Sequence, residues 1–263
     1  MDTDAAVLSH GRAGAVGGPV TLVLHGGGPG CHAASDFGAV MAARPQRSWL
    51  WVDLPGYGAS PAAGGPRLGT AAAALRELLN ELGVGPVDVL AQSYGGSVAL
   101  LLASDAPAAV RRMVLIGSTP TPAPGGVPDL LDPGLGARLR AAYAGDGRPD
   151  LDRMRRLMTD AEWHDGARLP DALVAARFRA DRLAEGASGT PEDLAEHLDA
   201  VAAPVHLVWG RHDPFAGPAY AAALADALPR ADLTVLHATA HHPQSERPDA
   251  VAALVDAHLG SSS

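Results

Sequence analysis

Ala91-Gln92-Ser93-Tyr94-Gly95-Gly96 is the stretch whose reading decides the fold. It sets a serine between an apolar run and an alanine-rich run of helical character. A serine displayed on a sharp strand-to-helix turn needs small residues two positions to either side, because the strained backbone leaves no room for larger ones. Ala91 and Gly95 meet that need, one methyl group away from the usual G-x-S-x-G. Residues 86–90 read as a short strand leading in, and residues 97–103 as a buried helix leading away. Strand, turn and helix therefore arrive in the required order.

Outward from this turn, strand and helix patterns alternate. Apolar runs at 20–24 and 49–52, continuous rather than alternating, mark strands buried on both faces, and further strands are read at 113–116, 205–209 and 233–236. Residues 70–82 carry a helical stripe of Ala72, Leu75, Leu78, Leu79 and Leu82 with a glycine stop at Gly83. Helices are expected at about 219–228 and 249–259. Such alternation predicts an α/β fold: a mostly parallel, doubly wound sheet with helices on both faces. Between Ser118 and Ala203 the alternation stops. A connector rich in Pro120, Pro122, Pro124, Gly125, Gly126 and Pro128 opens this segment, and helical patterns follow at 135–144, 151–163 and 170–184. We expect residues 1–118 and 204–263 to form the core and 119–203 a helical cap over the carboxyl ends of the strands, where ligands bind in such sheets. A solvent-exposed helical appendage is the plainer alternative.

Composition narrows the function. A chain of 263 residues that is 47% hydrophobic can bury a sizeable single core. Its formal net charge of -9 and lack of any basic run argue against nucleic acid or an anionic membrane as partner and for a small-molecule substrate. A homodimer stays open. The acidic start at Met1-Asp2-Thr3-Asp4, with no long apolar segment after it, reads as cytoplasmic, without signal peptide or membrane span. Cys31 is the one cysteine, so no internal disulfide forms. The twenty basic residues are all arginine, which excludes lysine Schiff bases and a Ser-Lys dyad, and the abundant Ala, Gly and Pro suggest a bacterial source.

A serine hydroxyl is a poor nucleophile until a histidine takes its proton and a carboxylate fixes that histidine's tautomer. Two loops offer these partners just past strand ends: Trp209-Gly210-Arg211-His212-Asp213-Pro214 and Ala240-His241-His242-Pro243. Clustered cysteine-histidine spacing for a metal is absent, and adjacent His241 and His242 point their rings apart rather than onto one ion. No metal or other cofactor is expected.

Five motifs in order make the chain resemble an α/β-hydrolase: His25-Gly26-Gly27-Gly28-Pro29-Gly30, the run from Asp53 to Ser60, the serine turn, Trp209 to Asp213, and Ala240 to Pro248. The resemblance implies the α/β-hydrolase fold with a helical cap inserted after the sixth strand, here the one at 113–116. It implies Ser93 as nucleophile, Asp213 as orienting acid and His241 as base, because the pattern G-H-x-P-x-x-E-x-P aligns His241 rather than His242. It also implies an oxyanion hole from Tyr94 with Gly27 or Gly28, and it makes His25 a structural residue of that turn. Ala240 departs from the family glycine. Asp53 is expected to tie down its own loop, Asp88 to lack access, His212 to be a loop residue and Cys31 to line the pocket.

Within the family the triple glycine followed by Pro-Gly most resembles the meta-cleavage product hydrolases, which cleave carbon-carbon bonds in ring-fission products of aromatic compounds. By that resemblance Arg177 faces a substrate carboxylate, with Asp36 and His242 as further substrate-binding positions. His242 stands where those enzymes usually carry tryptophan, Gln92-Ser93-Tyr94 replaces their Asn-Ser-Met, and Asp36 replaces a common asparagine. A carboxylesterase, lactonase, thioesterase or aminopeptidase of the same fold is the alternative, and a non-catalytic ligand-binding member a third.

Overall fold

The computed structural model describes residues 8–122, 132, 134–147, 149–186 and 189–260. Pro124, Gly125, Gly126 and Pro128 of the connector and the terminal stretches lie outside the described residues. Seven strands form one sheet: β1 (His10–Gly14), β2 (Val20–Leu24), β3 (Ser48–Val52), β4 (Val87–Gln92), β5 (Val110–Ile116), β6 (Val205–Gly210) and β7 (Ala231–Leu236), in the order β1-β3-β2-β4-β5-β6-β7. Only β1 is antiparallel, pairing with β3 from His10↔Val52 to Gly14↔Ser48. The central strands β2 and β4 are buried along nearly their whole length because helices cover both faces. β1 is the strand that the sequence pattern misses. Its residues His-Gly-Arg-Ala-Gly have no strand signature, and pairing with β3 at the sheet edge imposes the conformation.

The helices are α1 (Ala33–Asp36), α2 (Gly38–Ala43), α3 (Arg67–Glu81), α4 (Tyr94–Asp105), α5 (Leu135–Ala144), α6 (Leu151–Ala161), α7 (Asp171–Leu183), α8 (Pro218–Ala227), α9 (Pro243–Glu246) and α10 (Pro248–Leu259). α3 buries Leu68, Ala71, Ala72, Leu75, Leu78 and Leu79 and ends in a Schellman motif. Gly83 takes φ +61° there, and the amides of Val84 and Gly83 reach the carbonyls of Leu79 and Asn80. One apolar layer joins α3, α4 and α8 to the sheet, and a second joins α2 and α10 to its other face. The helical patterns expected between Ser118 and Ala203 become α5, α6 and α7, which follow the fifth described strand. They share a small core of their own from Tyr143, Met154, Leu157, Met158, Trp163, Leu169 and Val174. Among the described residues no helix is long and apolar enough to cross a membrane.

Candidate active site

The serine turn is strained. Ser93 adopts φ 49° and ψ -116°, a region that costs a non-glycine residue roughly 1–3 kcal/mol and persists where the surroundings enforce it. Those surroundings are identifiable. The Ser93 amide donates to the Ile116 carbonyl at 2.8 Å, and its own carbonyl accepts from Gly96 and Ser97 at 3.0 and 3.1 Å. A methyl group on Gly95 would sit 2.5 Å from the His25 carbonyl oxygen, so only glycine fits. Ala91 is tolerated in place of glycine because it lies fully buried in the β4 ladder, paired with Leu24 and Leu115.

The glycine loop after β2 abuts this turn. A Cβ on Gly27 would lie 3.1 Å from that of Tyr94. Tyr94 heads α4, so its N–H is among those without an intrahelical acceptor. His25 holds the loop in place. Its Nε2 accepts from the Leu54 amide at 2.9 Å, so the proton rests on Nδ1, which donates to the Gly26 carbonyl at 2.7 Å. Burial, offset only in part by that bond, drives its pKa down to about 3. It is a neutral strut, not a proton carrier.

Asp213 and His241 meet across two loops. Asp213 Oδ1 accepts from the amides of Phe215 (2.9 Å) and Ala216 (3.4 Å), while Oδ2 accepts from His241 Nδ1 at 2.7 Å. That bond leaves the other ring nitrogen, Nε2, as the proton acceptor. Burial alone would lower the His241 pKa; the charge of Asp213 and its hydrogen bond outweigh this, so the net shift is upward. Gly117, at φ +54°, leaves the space behind the pair: a Cβ there would lie 3.1 Å from His241 Nδ1 and 3.2 Å from Asp213 Oδ2. The His241 loop is held by Gln92, which donates to the His241 carbonyl at 3.2 Å. It is also held by Glu246, whose carboxylate accepts from the amides of Ala240 (2.6 Å) and His164 (2.8 Å).

Ser93, His241, Gly27, Gly28 and Tyr94 all line one cavity of about 410 Å³, together with Cys31, Arg67, Arg140, Glu162, Phe215 and His242. The Cys31 thiol is buried, and burial pushes its pKa far up, so it is inert lining. Asp53, Asp88 and His212 are not among the lining residues. Asp53 packs against Gly58 of its own loop, Asp88 takes a two-pronged bond from Arg111 (2.6 and 3.2 Å), and His212 stacks on His164 with ring centroids 4.1 Å apart. Away from the site, His206, Asp232 and His258 bring potential ligand atoms within 4.8 Å of one another near the opposite ends of β6 and β7. Their wide separation in sequence hides this grouping from a spacing argument.

Arg177 is paired with protein carboxylates in this structure. Its side chain lies not at the margin of α7 but in the middle of the buried face, between Val174 and Ala180, with no exposed surface. Both Nη groups are engaged, Nη1 donating to Asp36 Oδ1 at 3.1 Å and Nη2 to Glu162 Oε1 at 2.7 Å and the Pro29 carbonyl at 3.2 Å, while Nε has no hydrogen-bond partner. Arg177 and Asp36 are not among the residues that line the cavity, although Arg177 Nη2 would lie 3.6 Å from a Cβ on Gly28, which is. Asp36 is instead Arg177's buried partner. His242 does line it, with Nε2 at 3.6 Å from Glu162 Oε2. Sequence reading missed Glu162, because an acid among Asp160 and Asp165 at the end of an arginine-rich helix looks like a solvated face. Its burial follows from α6 and α7 packing together above the His241 loop, where the Glu162 carbonyl accepts the His242 amide at 3.1 Å.

Comparison with known proteins agrees with this architecture. The sequence profile described as alpha/beta hydrolase fold matches residues 20–248. A 2-hydroxy-6-oxononadienedioate/2-hydroxy-6-oxononatrienedioate hydrolase of Cupriavidus pinatubonensis is 26% identical over 98% of this chain and 93% of its own. Another of the same name from a Pseudomonas species is 28% identical over 89% and 85%. Among solved structures, 2-hydroxy-6-oxo-6-phenylhexa-2,4-dienoate hydrolase from Rhodococcus superposes with a TM-score of 0.78 at 26% identity, covering 97% of this chain and 96% of that one. An enzyme degrading N-acyl homoserine lactones, at 20% identity and a TM-score of 0.73, shares the fold. With the profile spanning the sheet, the serine turn and both partner loops, the chain belongs to the α/β hydrolase fold family and is a hydrolase.

Proposed function

We propose that this hydrolase is serine-dependent and acts on a carbonyl carbon of a small-molecule substrate held beneath a helical cap. The observation that carries the reading is the 2.7 Å bond between His241 and Asp213, beside a serine in a strained turn, on the wall of one cavity. Ser93 Oγ attacks the carbonyl while His241 Nε2 takes its proton, and Asp213 stabilises the imidazolium that forms. The oxyanion then faces the amides of Tyr94 and of Gly27 or Gly28, which are held rigid before the reaction starts. Collapse of the tetrahedral intermediate expels the leaving group, protonated by His241, and water releases the acyl group by the same route in reverse. The chemistry requires nothing beyond these side chains and backbone donors.

The relatives' names favour carbon-carbon bond hydrolysis of a 2-hydroxy-6-oxo dienoate. The engagement of Arg177 by Asp36 and Glu162 favours a second reading, an ester, lactone, thioester or amide without a carboxylate at that position. Turnover of a p-nitrophenyl ester panel beside a 2-hydroxy-6-oxo dienoate, in the native chain and in Ser93→Ala, tests both. Turnover of either class that disappears in Ser93→Ala supports serine catalysis; turnover that survives contradicts it. With this reading go a cytoplasmic, bacterial enzyme and a homodimer as one open assembly, and the net charge of -9 supports the exclusion of nucleic acid and anionic membranes as partners.

A further inference from the structure

Glu162 is the one carboxylate that both lines the cavity and is bound to Arg177. It is 4% exposed, and its two oxygens differ: Oε1 accepts from Arg177 at 2.7 Å, whereas Oε2 has no hydrogen-bond partner. A buried polar atom left unpaired is costly and asks for an explanation. His242 Nε2, at 3.6 Å, is just beyond bonding range. Its ring carries no charge to help, since burial and then the nearby Arg177 hold its pKa well below the ordinary histidine value.

The formal charge of the cluster follows. One guanidinium faces two carboxylates, Asp36 and Glu162, beside a neutral imidazole, so this end of the cavity carries a net -1. Of the three charged groups only Glu162 reaches the lining. Glu162 also neighbours the glycine loop: a Cβ on Gly28 would lie 3.5 Å from Glu162 Oε1 and 3.6 Å from Arg177 Nη2. A substrate carboxylate brought to Glu162 would meet a like charge, with both Nη groups of Arg177 already donating and only its buried Nε without a partner. A donor would meet an acceptor with a free lone pair.

Building on the serine-hydrolase reading, we infer that Glu162 Oε2 is a substrate-recognition point for a hydrogen-bond donor, best a cationic amine, placed a few bonds from the carbonyl that Ser93 attacks. The substrate class is therefore an amino-bearing carbonyl compound and not a carboxylate-bearing one. Glu162 specifies the substrate by accepting from that donor, and Arg177 positions Glu162 by holding Oε1.

Three matched ligands test this: the N-benzyl amides of β-alanine, butanoic acid and succinic acid, which present an ammonium, a methyl and a carboxylate at the same distance from one carbonyl. Their binding to Ser93→Ala is measured by isothermal titration. The ammonium ligand should bind at least about tenfold more tightly than the carboxylate one, as a charge-assisted hydrogen bond against a like-charge contact demands. Glu162→Gln in the same background, checked for native melting, should close that gap. A carboxylate ligand that binds as well or better, or an ammonium ligand that shows no binding, overturns the inference, as does a preference untouched by Glu162→Gln. Labelling of the native chain by a fluorophosphonate reads the hydrolase reading separately. Labelling at Ser93 with a carboxylate preference sinks only the recognition point, and amine preference without labelling sinks only the hydrolase.

Discussion

At the scale of single residues the account rests on proton positions. His241 must be neutral to accept the Ser93 proton, and Asp213 raises its pKa above the ordinary 6.5. The acid limb of kcat/KM should therefore lie above pH 6.5, activity rising as the imidazolium loses its proton. In Asp213→Asn the raising charge is gone and the tautomer is no longer enforced, so the limb should move down while turnover drops on the order of 10³–10⁴-fold. A pH-rate series on both proteins checks this, and an unmoved limb would detach Asp213 from the base. The same raised pKa has a sign for stability. A histidine whose folded pKa lies above its unfolded one contributes most below pH 6.5, and that contribution fades as pH rises through the folded value. Catalysis and this part of stability thus peak on opposite sides of one titration.

At the scale of elements, the turns carry the precision. Gly95→Ala pushes a methyl group against the His25 carbonyl, a backbone atom with no freedom to move, and should cost roughly 1–3 kcal/mol in a urea melt. Its damage to turnover should exceed its damage to folding, because the displaced atoms belong to the glycine loop and the serine turn. Glu246→Gln keeps the shape but turns an NH₂ toward one of two amides. Unpairing a buried donor costs about 1–3 kcal/mol, so the melt should shift down and the His241 loop lose its tie to His164. An unchanged melting point would mean that the Glu246 bonds contribute nothing. These elements were legible in sequence because the central strands are dominated by apolar residues and the loops after β2 and β3 and the turn after β4 carry glycine. β1 was not, since an edge strand of His, Gly, Arg and Ala owes its form to β3. Arg177 was placed on the right helix, yet its partners were invisible. Asp36 lies 141 positions away in sequence and Glu162 sits on a neighbouring helix, so only tertiary packing brings the three together.

At the scale of the whole molecule, the sheet carries the serine, acid and histidine loops at the carboxyl ends of β4, β6 and β7, and α5, α6 and Glu162 contribute part of the facing wall. Links that tie the helical segment to the core include Arg177 to Asp36 and to the Pro29 carbonyl, the His242 amide to the Glu162 carbonyl, and the His164 amide to Glu246. The last two end on the histidine loop, so movement of the helices and alignment of His241 are mechanically linked. Replacing Asp36 by Ala leaves Arg177 buried with one carboxylate, and breaking a buried pair in this way costs about 3–5 kcal/mol. Proteolysis of Asp36→Ala should therefore cut first within the helical segment, whereas first cuts within the sheet would argue that the segment is anchored elsewhere. The central claim is that Ser93 is a nucleophile activated by His241. Its most direct measurement is mass spectrometry of the intact and digested chain after a fluorophosphonate probe. The account predicts one adduct, on the peptide containing Ser93, absent in Ser93→Ala and slowed by orders of magnitude in His241→Ala. No adduct on the folded native chain, or one that persists in Ser93→Ala, would contradict it.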